Sequence, residues 1–223
     1  EFGYDFKKFK YFAGHSLGEY SALACIGSIS FEDTLKILQK RGKFMQEAVP
    51  SGEGAMLAVL GRSSKEIDEI LDINNKKYKC FIANDNSNLQ VVVSGLKKDI
   101  NLLSDDLNNK KIKNLKLNVS APFHCEYMKS ASEKMTSHIN DLKMNDLEKP
   151  IISNVTANET VSSNEIKSLL ISQIENRVRW LESVEYMINN GVKNFVEIGP
   201  GKVLSGLIKR INKNVNVNSI NSY

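Results

Sequence analysis

Residues 11–26 combine three local signals that few folds accommodate. Tyr11-Phe12-Ala13 ends a short apolar run, Glu19 to Ile26 reads as a helix, and Gly14-x-Ser16-x-Gly18 stands between them. A serine on a sharp strand-to-helix turn, with glycine two residues away on either side, is the nucleophile-elbow pattern. Such a turn strains the serine backbone and exposes its hydroxyl at the strand's C-terminal end. The glycines are expected to remove side chains that would clash. The Leu17 amide opens the helix, so it points to where a tetrahedral oxyanion would form, and the helix N-terminus favours negative charge there. The plain alternative is a chance tight turn.

The remaining pattern is α/β. Ser30 can cap a helix from Phe31 to about Ala48, stopped by Pro50, Gly52 and Gly54. A separate block then runs from about residue 54 to 119. It has strands at Ala55–Leu60, Tyr78–Ala83, Gln90–Ser94 and Leu115–Val119. A capping box at Ser63 and Glu66 starts one helix, and Ile100, Leu103 and Leu107 mark another. Asn84-Asp85-Asn86-Ser87-Asn88 reads as a turn. The order βαββαβ is that of a ferredoxin-like unit. It is expected as an insertion at 54–119 in a core made of 1–53 and 120–223. In that core, Phe123-His124 opens a helix through Met128 and Met135, and Pro150–Val155 is a strand. Helices follow at Ile166–Gln173 and Trp180–Asn190, then a strand at Phe195–Ile198 and a helix at Val203–Ile211. Alternating strands and helices imply a parallel layer. The Lys- and Asn-rich tail after Lys209 reads as compositional style.

Composition excludes several classes. Hydrophobic residues are 41% and charged residues 25% of 223, as in ordinary globular chains. A net charge of +4 is too slight to indicate nucleic acid. No apolar run approaches the about 18 residues of a membrane span. Cys25, Cys80 and Cys125 form no CxxC pair and suggest reduced thiols. His15, His124 and His138 lack metal-ligand spacing, so no metal site is expected.

A serine hydroxyl needs a base. His15 adjoins Ser16, so its side chain should point elsewhere. His138 sits in a polar helical stretch and reads as solvated surface. His124 lies at a strand-to-helix junction, where catalytic groups often sit; it could equally be a helix-start histidine with no task. No acid announces itself as a third triad member. Arg41 lies on an apolar helix stripe, with Ile37, Leu38, Phe44 and Met45 three and four residues away. A part-buried guanidinium there needs an anion, either a structural carboxylate or that of a substrate.

Several segments together resemble one family, the malonyl-CoA:acyl-carrier-protein transacylases of bacterial and plastid type. They are Gly14-His15-Ser16-Leu17-Gly18-Glu19-Tyr20-Ser21-Ala22-Leu23, Arg41 to Pro50, Val119-Ser120-Ala121-Pro122-Phe123-His124-Cys125, Trp180 with Ser183 to Met187, and Glu197 to Leu204. The resemblance implies an α/β-hydrolase-like core with a ferredoxin-like insertion. It also implies ping-pong transfer of malonyl from malonyl-CoA to the phosphopantetheine thiol of acyl carrier protein, without a resident cofactor. Ser16 would be nucleophile, His124 base then acid, and Leu17 an oxyanion donor. A backbone carbonyl at Gln173 would orient His124, and Arg41 would hold the malonyl carboxylate. His15, Asn84 and Phe123 would complete the substrate site; Phe123 resembles the malonyl-selective variant.

Two features depart from the family. Its N-terminal segment, with a loop supplying a second oxyanion N–H, has no counterpart here. Losing such a donor costs on the order of 10²–10³ in rate, so the chain is expected to be inactive or poorly folded alone; the few strands available to flank the nucleophile strand imply a fragment of a longer protein. Asn86-Ser87-Asn88-Leu89-Gln90 replaces an NSPGQ-type turn. Competing readings are a lipase-like esterase, an acyltransferase domain of a larger synthase, and a non-enzymatic piece that binds carrier protein. A monomer is expected, with Lys43, Lys202, Lys209 and Arg210 as a basic docking patch. The Lys/Asn-rich style suggests a plastid-like organelle, with bacterial cytoplasm as the alternative.

Overall fold

A computed structural model describes residues 5–221. In chain order the elements are β1 (Phe12–Ala13), α1 (Leu17–Cys25), α2 (Phe31–Gln46), β2 (Gly54–Leu60), α3 (Ser64–Ile73), β3 (Cys80–Ser87), β4 (Gln90–Leu96), α4 (Lys97–Asn109), β5 (Asn114–Lys116), α5 (Lys129–Asn140), β6 (Ile151–Ile152), β7 (Glu159–Thr160), α6 (Ser163–Gln173), α7 (Trp180–Asn189), β8 (Asn194–Ile198), α8 (Val203–Ile211) and β9 (Asn216–Ile220).

The β2–β5 stretch forms one antiparallel sheet in the order β3-β4-β2-β5, the ferredoxin-like arrangement. Its alternation sorts side chains onto two faces. Leu57, Val59, Val91 and Val93 pack on Ile67 and Leu71 of α3 and on Ile100, Leu103 and Leu107 of α4. Met56, Ala58, Ala83 and Val92 form the opposite face, which Leu117 and Phe123 cover. The segment leading into His124 is therefore seated on this sheet. The expected capping box at Ser63 and Glu66 is present.

The rest of the chain is α/β, as expected, with a mixed pattern. β1 pairs parallel with β6, and β7 adds an antiparallel edge. β8 and β9 pair parallel in a separate sheet. Tyr20, Leu23, Ile37, Met45, Met135, Ile139, Ile166 and Leu170 knit α1, α2, α5 and α6 into one core. A second core joins Ile152, Val178, Trp180 and Val184 to Leu207 and Ile208 of α8. β1 and β8 are both edge strands among the described residues, and both line a groove of about 860 Å³.

Five boundaries differ from expectation. Asn84 to Ser87 is the end of β3, not a turn; its bulged backbone pairs with β4, and Asn84 bridges to Val178. The backbone there is paired on both sides and Asn86 Oδ1 meets His15 Nε2, whereas Asp85 Oδ1 and Ser87 Oγ are buried without partners. β5 covers Asn114–Lys116 and stops before Val119. No helix opens at Phe123-His124: His124 has φ 59, a short 3₁₀ turn spans Glu126–Met128, and α5 begins at Lys129. β6 ends at Ile152, and the next residues turn to serve the site. The tail contains β9, which pairs parallel with β8 and packs Val217 on the second core beside Val215.

Candidate active site

The elbow forms as its sequence suggests. Ser16 caps α1 with φ 53 and ψ −107, a conformation that costs on the order of 1–3 kcal/mol and persists only where surroundings enforce it. The two glycines have unequal tasks. A Cβ on Gly14 would lie 2.0 Å from the Gly18 carbonyl carbon, whereas a Cβ on Gly18 would meet nothing within 4 Å. Only Gly14 is demanded by sterics, which narrows the expectation that both are. Asn154, just past β6, clamps the turn: its Nδ2 donates to Gly14 O at 2.7 Å and its Oδ1 accepts from Ser16 N–H at 2.7 Å. The Leu17 amide is the first of the helix and has no acceptor among the described residues.

Ser16 Oγ lies 2.8 Å from His124 Nε2, and His124 Nδ1 lies 2.9 Å from the main-chain oxygen of Gln173. A carbonyl can only accept, so Nδ1 carries the hydrogen and Nε2 offers its lone pair to the hydroxyl. Burial, then the nearby Arg41 charge, push the His124 pKa down to about 3. The imidazole is therefore neutral and able to receive a proton.

Arg41 projects from α2 into the same space and is 6% exposed. Its Nη2 donates to Ser16 Oγ at 2.9 Å and to Gln173 Oε1 at 2.9 Å, and the guanidinium lies over the Tyr20 ring at 5.6 Å. None of the ion pairs among the described residues includes it, and its buried Nε has no partner. A buried unpaired donor costs roughly 1–3 kcal/mol. The structural-carboxylate alternative thus finds no direct ion pair, and the guanidinium at the hydroxyl keeps an unpartnered donor in its Nε.

His15 turns away from the hydroxyl, as expected. Its Nε2 meets Asn86 Oδ1 at 2.9 Å, its ring packs on Trp180 at 5.7 Å, and burial lowers its pKa. Asn84 is buried in β3 beside Val178 and is hydrogen-bonded to neither Ser16 nor Arg41. Phe123 is half-buried against two cores. His138 is not simply solvated: it stacks on Phe44 at 5.9 Å, and Lys40 reaches it at 3.1 Å. Lys209 and Arg210 already bond Val215 O and Gln90 Oε1, and Lys43 is exposed on α2. A second groove, of about 700 Å³, reaches His124 past Phe81, Ile82, Asn176 and Arg177. Among the described residues no His, Cys, Asp or Glu cluster could hold a metal, and no helix is long and apolar enough to cross a membrane.

Sequence reading missed Glu19, Asn154 and Asn86. Asn154 and Asn86 lay in stretches read as strand and turn. Glu19 had a usable signal, a carboxylate on the buried face of the elbow helix.

The chain matches the model for the acyl transferase domain over residues 8–222. It is 44% identical over 203 residues to the malonyl CoA-acyl carrier protein transacylase of Bacillus subtilis, covering 90% of this chain and 64% of that protein. It therefore spans less than two thirds of that relative. The Staphylococcus aureus protein of the same name is 44% identical over 211 residues, covering 93% and 68%. The solved acyl-carrier-protein-S-malonyltransferase of Bartonella henselae superposes with a TM-score of 0.95 at 40% identity, covering 99% of this chain and 71% of that one. A malonyl-transacylase in complex with a type II PKS acyl-carrier protein superposes at 0.91 with 38% identity, covering 96% and 70%. A serine, a neutral imidazole and a buried guanidinium meet on this scaffold, and the chain belongs to the acyl transferase domain family.

Proposed function

We propose that this chain carries the catalytic centre of an acyl-carrier-protein S-malonyltransferase. The observation that carries the reading is a serine hydroxyl within hydrogen-bond reach of both a neutral imidazole and a buried guanidinium that makes no direct ion pair among the described residues. Malonyl-CoA supplies what the site lacks, a carboxylate for Arg41 two bonds from the reacting carbonyl carbon. Names of the relatives, and one relative solved with an acyl-carrier protein, support the same donor and acceptor.

The chemistry follows from the donors. Ser16 Oγ attacks the thioester carbon while its proton passes to His124 Nε2. The Leu17 N–H and the start of α1 face the developing oxyanion. The C–S bond breaks, and the CoA sulfur takes the proton from Nε2, leaving malonyl on Ser16. The phosphopantetheine thiol then gives its proton to Nε2 and attacks the ester; the serine oxygen leaves and regains that proton. Gln173 O holds the imidazole throughout. A bound carboxylate offsets the Arg41 charge, one of the causes that depress His124 basicity. We place the pantetheine arm in the groove reaching His124. No resident cofactor enters these steps.

The chain is read as a monomer. The named relatives are bacterial, which favours bacterial cytoplasm; the plastid-like compartment suggested by composition has no support among them. Intact mass after mixing with malonyl-CoA should show a malonyl ester on Ser16. Arg41→Ala should cut malonyl transfer by roughly 10²–10³-fold, the cost of a buried charge pair, and spare acetyl transfer relatively. An unchanged malonyl preference, or free malonate as the main product, overturns the reading.

A further inference from the structure

Glu19 is buried under the elbow at 2% exposure, and no step above uses it. Its Oε2 accepts from Gln173 Nε2 at 2.7 Å and from the Asn154 main-chain N–H at 3.2 Å. A primary amide has a donating and an accepting end. A carboxyl oxygen against one end of Gln173 forces the NH₂ to face it. The Gln173 oxygen then faces the other way, where it accepts from Arg41 Nη2 at 2.9 Å. The amide is steadied further by Ser16 O, which accepts from Nε2 at 3.1 Å. If the amide were reversed, its NH₂ would oppose the guanidinium, donor against donor.

We propose that Glu19 is a positioning residue for substrate choice: by fixing the polarity of the Gln173 amide, it holds the Arg41 guanidinium where a donor's free carboxylate can reach it. The inference rests on the malonyl reading above. Burial pushes the Glu19 carboxyl up to about 7, so ionised and neutral forms coexist near neutrality, and an oxygen remains to accept in both. The role is thus one of hydrogen-bond direction, with Arg41 as the group acted on. A carboxyl that merely supported the fold would affect all acyl donors alike.

The test measures kcat/KM for malonyl-CoA and acetyl-CoA in the complete natural protein. Glu19→Met removes the nearest of the acceptors of Gln173 Nε2 at similar volume and is expected to narrow the malonyl-to-acetyl ratio by about tenfold or more. Glu19→Gln retains an accepting oxygen and should stay within about threefold of the parent ratio. If the Met variant does not fold, Glu19→Asp, which withdraws the oxygen by one methylene, should narrow the ratio instead. A parent-like ratio in Met or Asp, however low the rate, overturns the proposal, as does a Gln variant that narrows it as far as Met. Arg41→Ala is the control. If it leaves the ratio unchanged, the malonyl reading itself fails; if it narrows the ratio and the Glu19 variants do not, only this inference fails. Adding Glu19→Met to Arg41→Ala should narrow the ratio no further, because both act through one guanidinium; independent further narrowing overturns the proposal.

Discussion

The four-stranded sheet and the elbow region are built on opposite terms. In the sheet, β2 and β4 pair residue for residue from Gly54↔Leu96 to Leu60↔Gln90, and alternate side chains fill a core between sheet and helices. Around the elbow, β1 and β6 contribute two paired residues each, and Ser16 and His124 both take positive φ. Order there comes from hydrogen bonds across great sequence distances: 108 positions from Ser16 to His124, and 157 between Ser16 and Gln173. Periodic apolar burial makes the first region stable. The second is held in strained, polar geometry by its neighbours, and reactivity resides there.

That contrast can be broken at single atoms. Gly14→Ala should have the largest effect, since its Cβ would lie 2.0 Å from Gly18 backbone. Ser16 acylation followed by mass spectrometry should be abolished, and near-normal acylation would show that the elbow is pliable. Leu103→Ala, in the sheet's core, should cost about 2–5 kcal/mol of stability in denaturant titration, with the acylation rate per folded molecule retained. A specific loss of rate there would mean that the two regions are coupled.

A subtler effect concerns His124. Its folded pKa is depressed from the usual 6.5 to about 3. The unfolded chain therefore binds the extra proton between those values, and this residue's contribution to stability, complete above pH 6.5, is lost as pH falls through that window. Single-turnover acylation should show no acid limb centred near 6.5 from this base. A limb at that position would place His124 in a more hydrated setting than its burial implies. The smallest effect is expected from Gly18→Ala. It meets nothing within 4 Å, and should shift stability by under about 1 kcal/mol, in the direction of helix propensity. A large loss would show that the first turn of α1 needs its glycine for a reason other than space.

Legibility followed the same division. The capping box, the α3 and α4 stripes and the alternation within the strands were readable because each depends on residues within a few positions of one another. Near the site, local rules misled. Asn84 to Ser87 carries turn chemistry, yet pairs as strand between two parts of the molecule. Ser153-Asn154-Val155 continues an apolar run, yet turns so that Asn154 can clamp the elbow. The tail's Val215-Asn216-Val217-Asn218 alternates apolar and polar residues, a strand signal obscured by the surrounding asparagines: Val215 and Val217 pack on the core, and Asn216 Nδ2 donates to Asn194 Oδ1 of β8 at 2.9 Å.

Local residue patterns were enough to place a serine on a strained strand-to-helix turn, a ferredoxin-like unit after it, and Arg41 in an apolar stripe. Each is a consequence of neighbours in the chain. What distant segments settled is that Arg41 has no ion-paired carboxylate, that Gln173 presents its main-chain oxygen to His124 and its amide to Arg41, and that Glu19 bonds that amide from beneath. Burial and hydrogen-bond direction depend on which distant segments arrive at one place, and no periodicity along the chain encodes that.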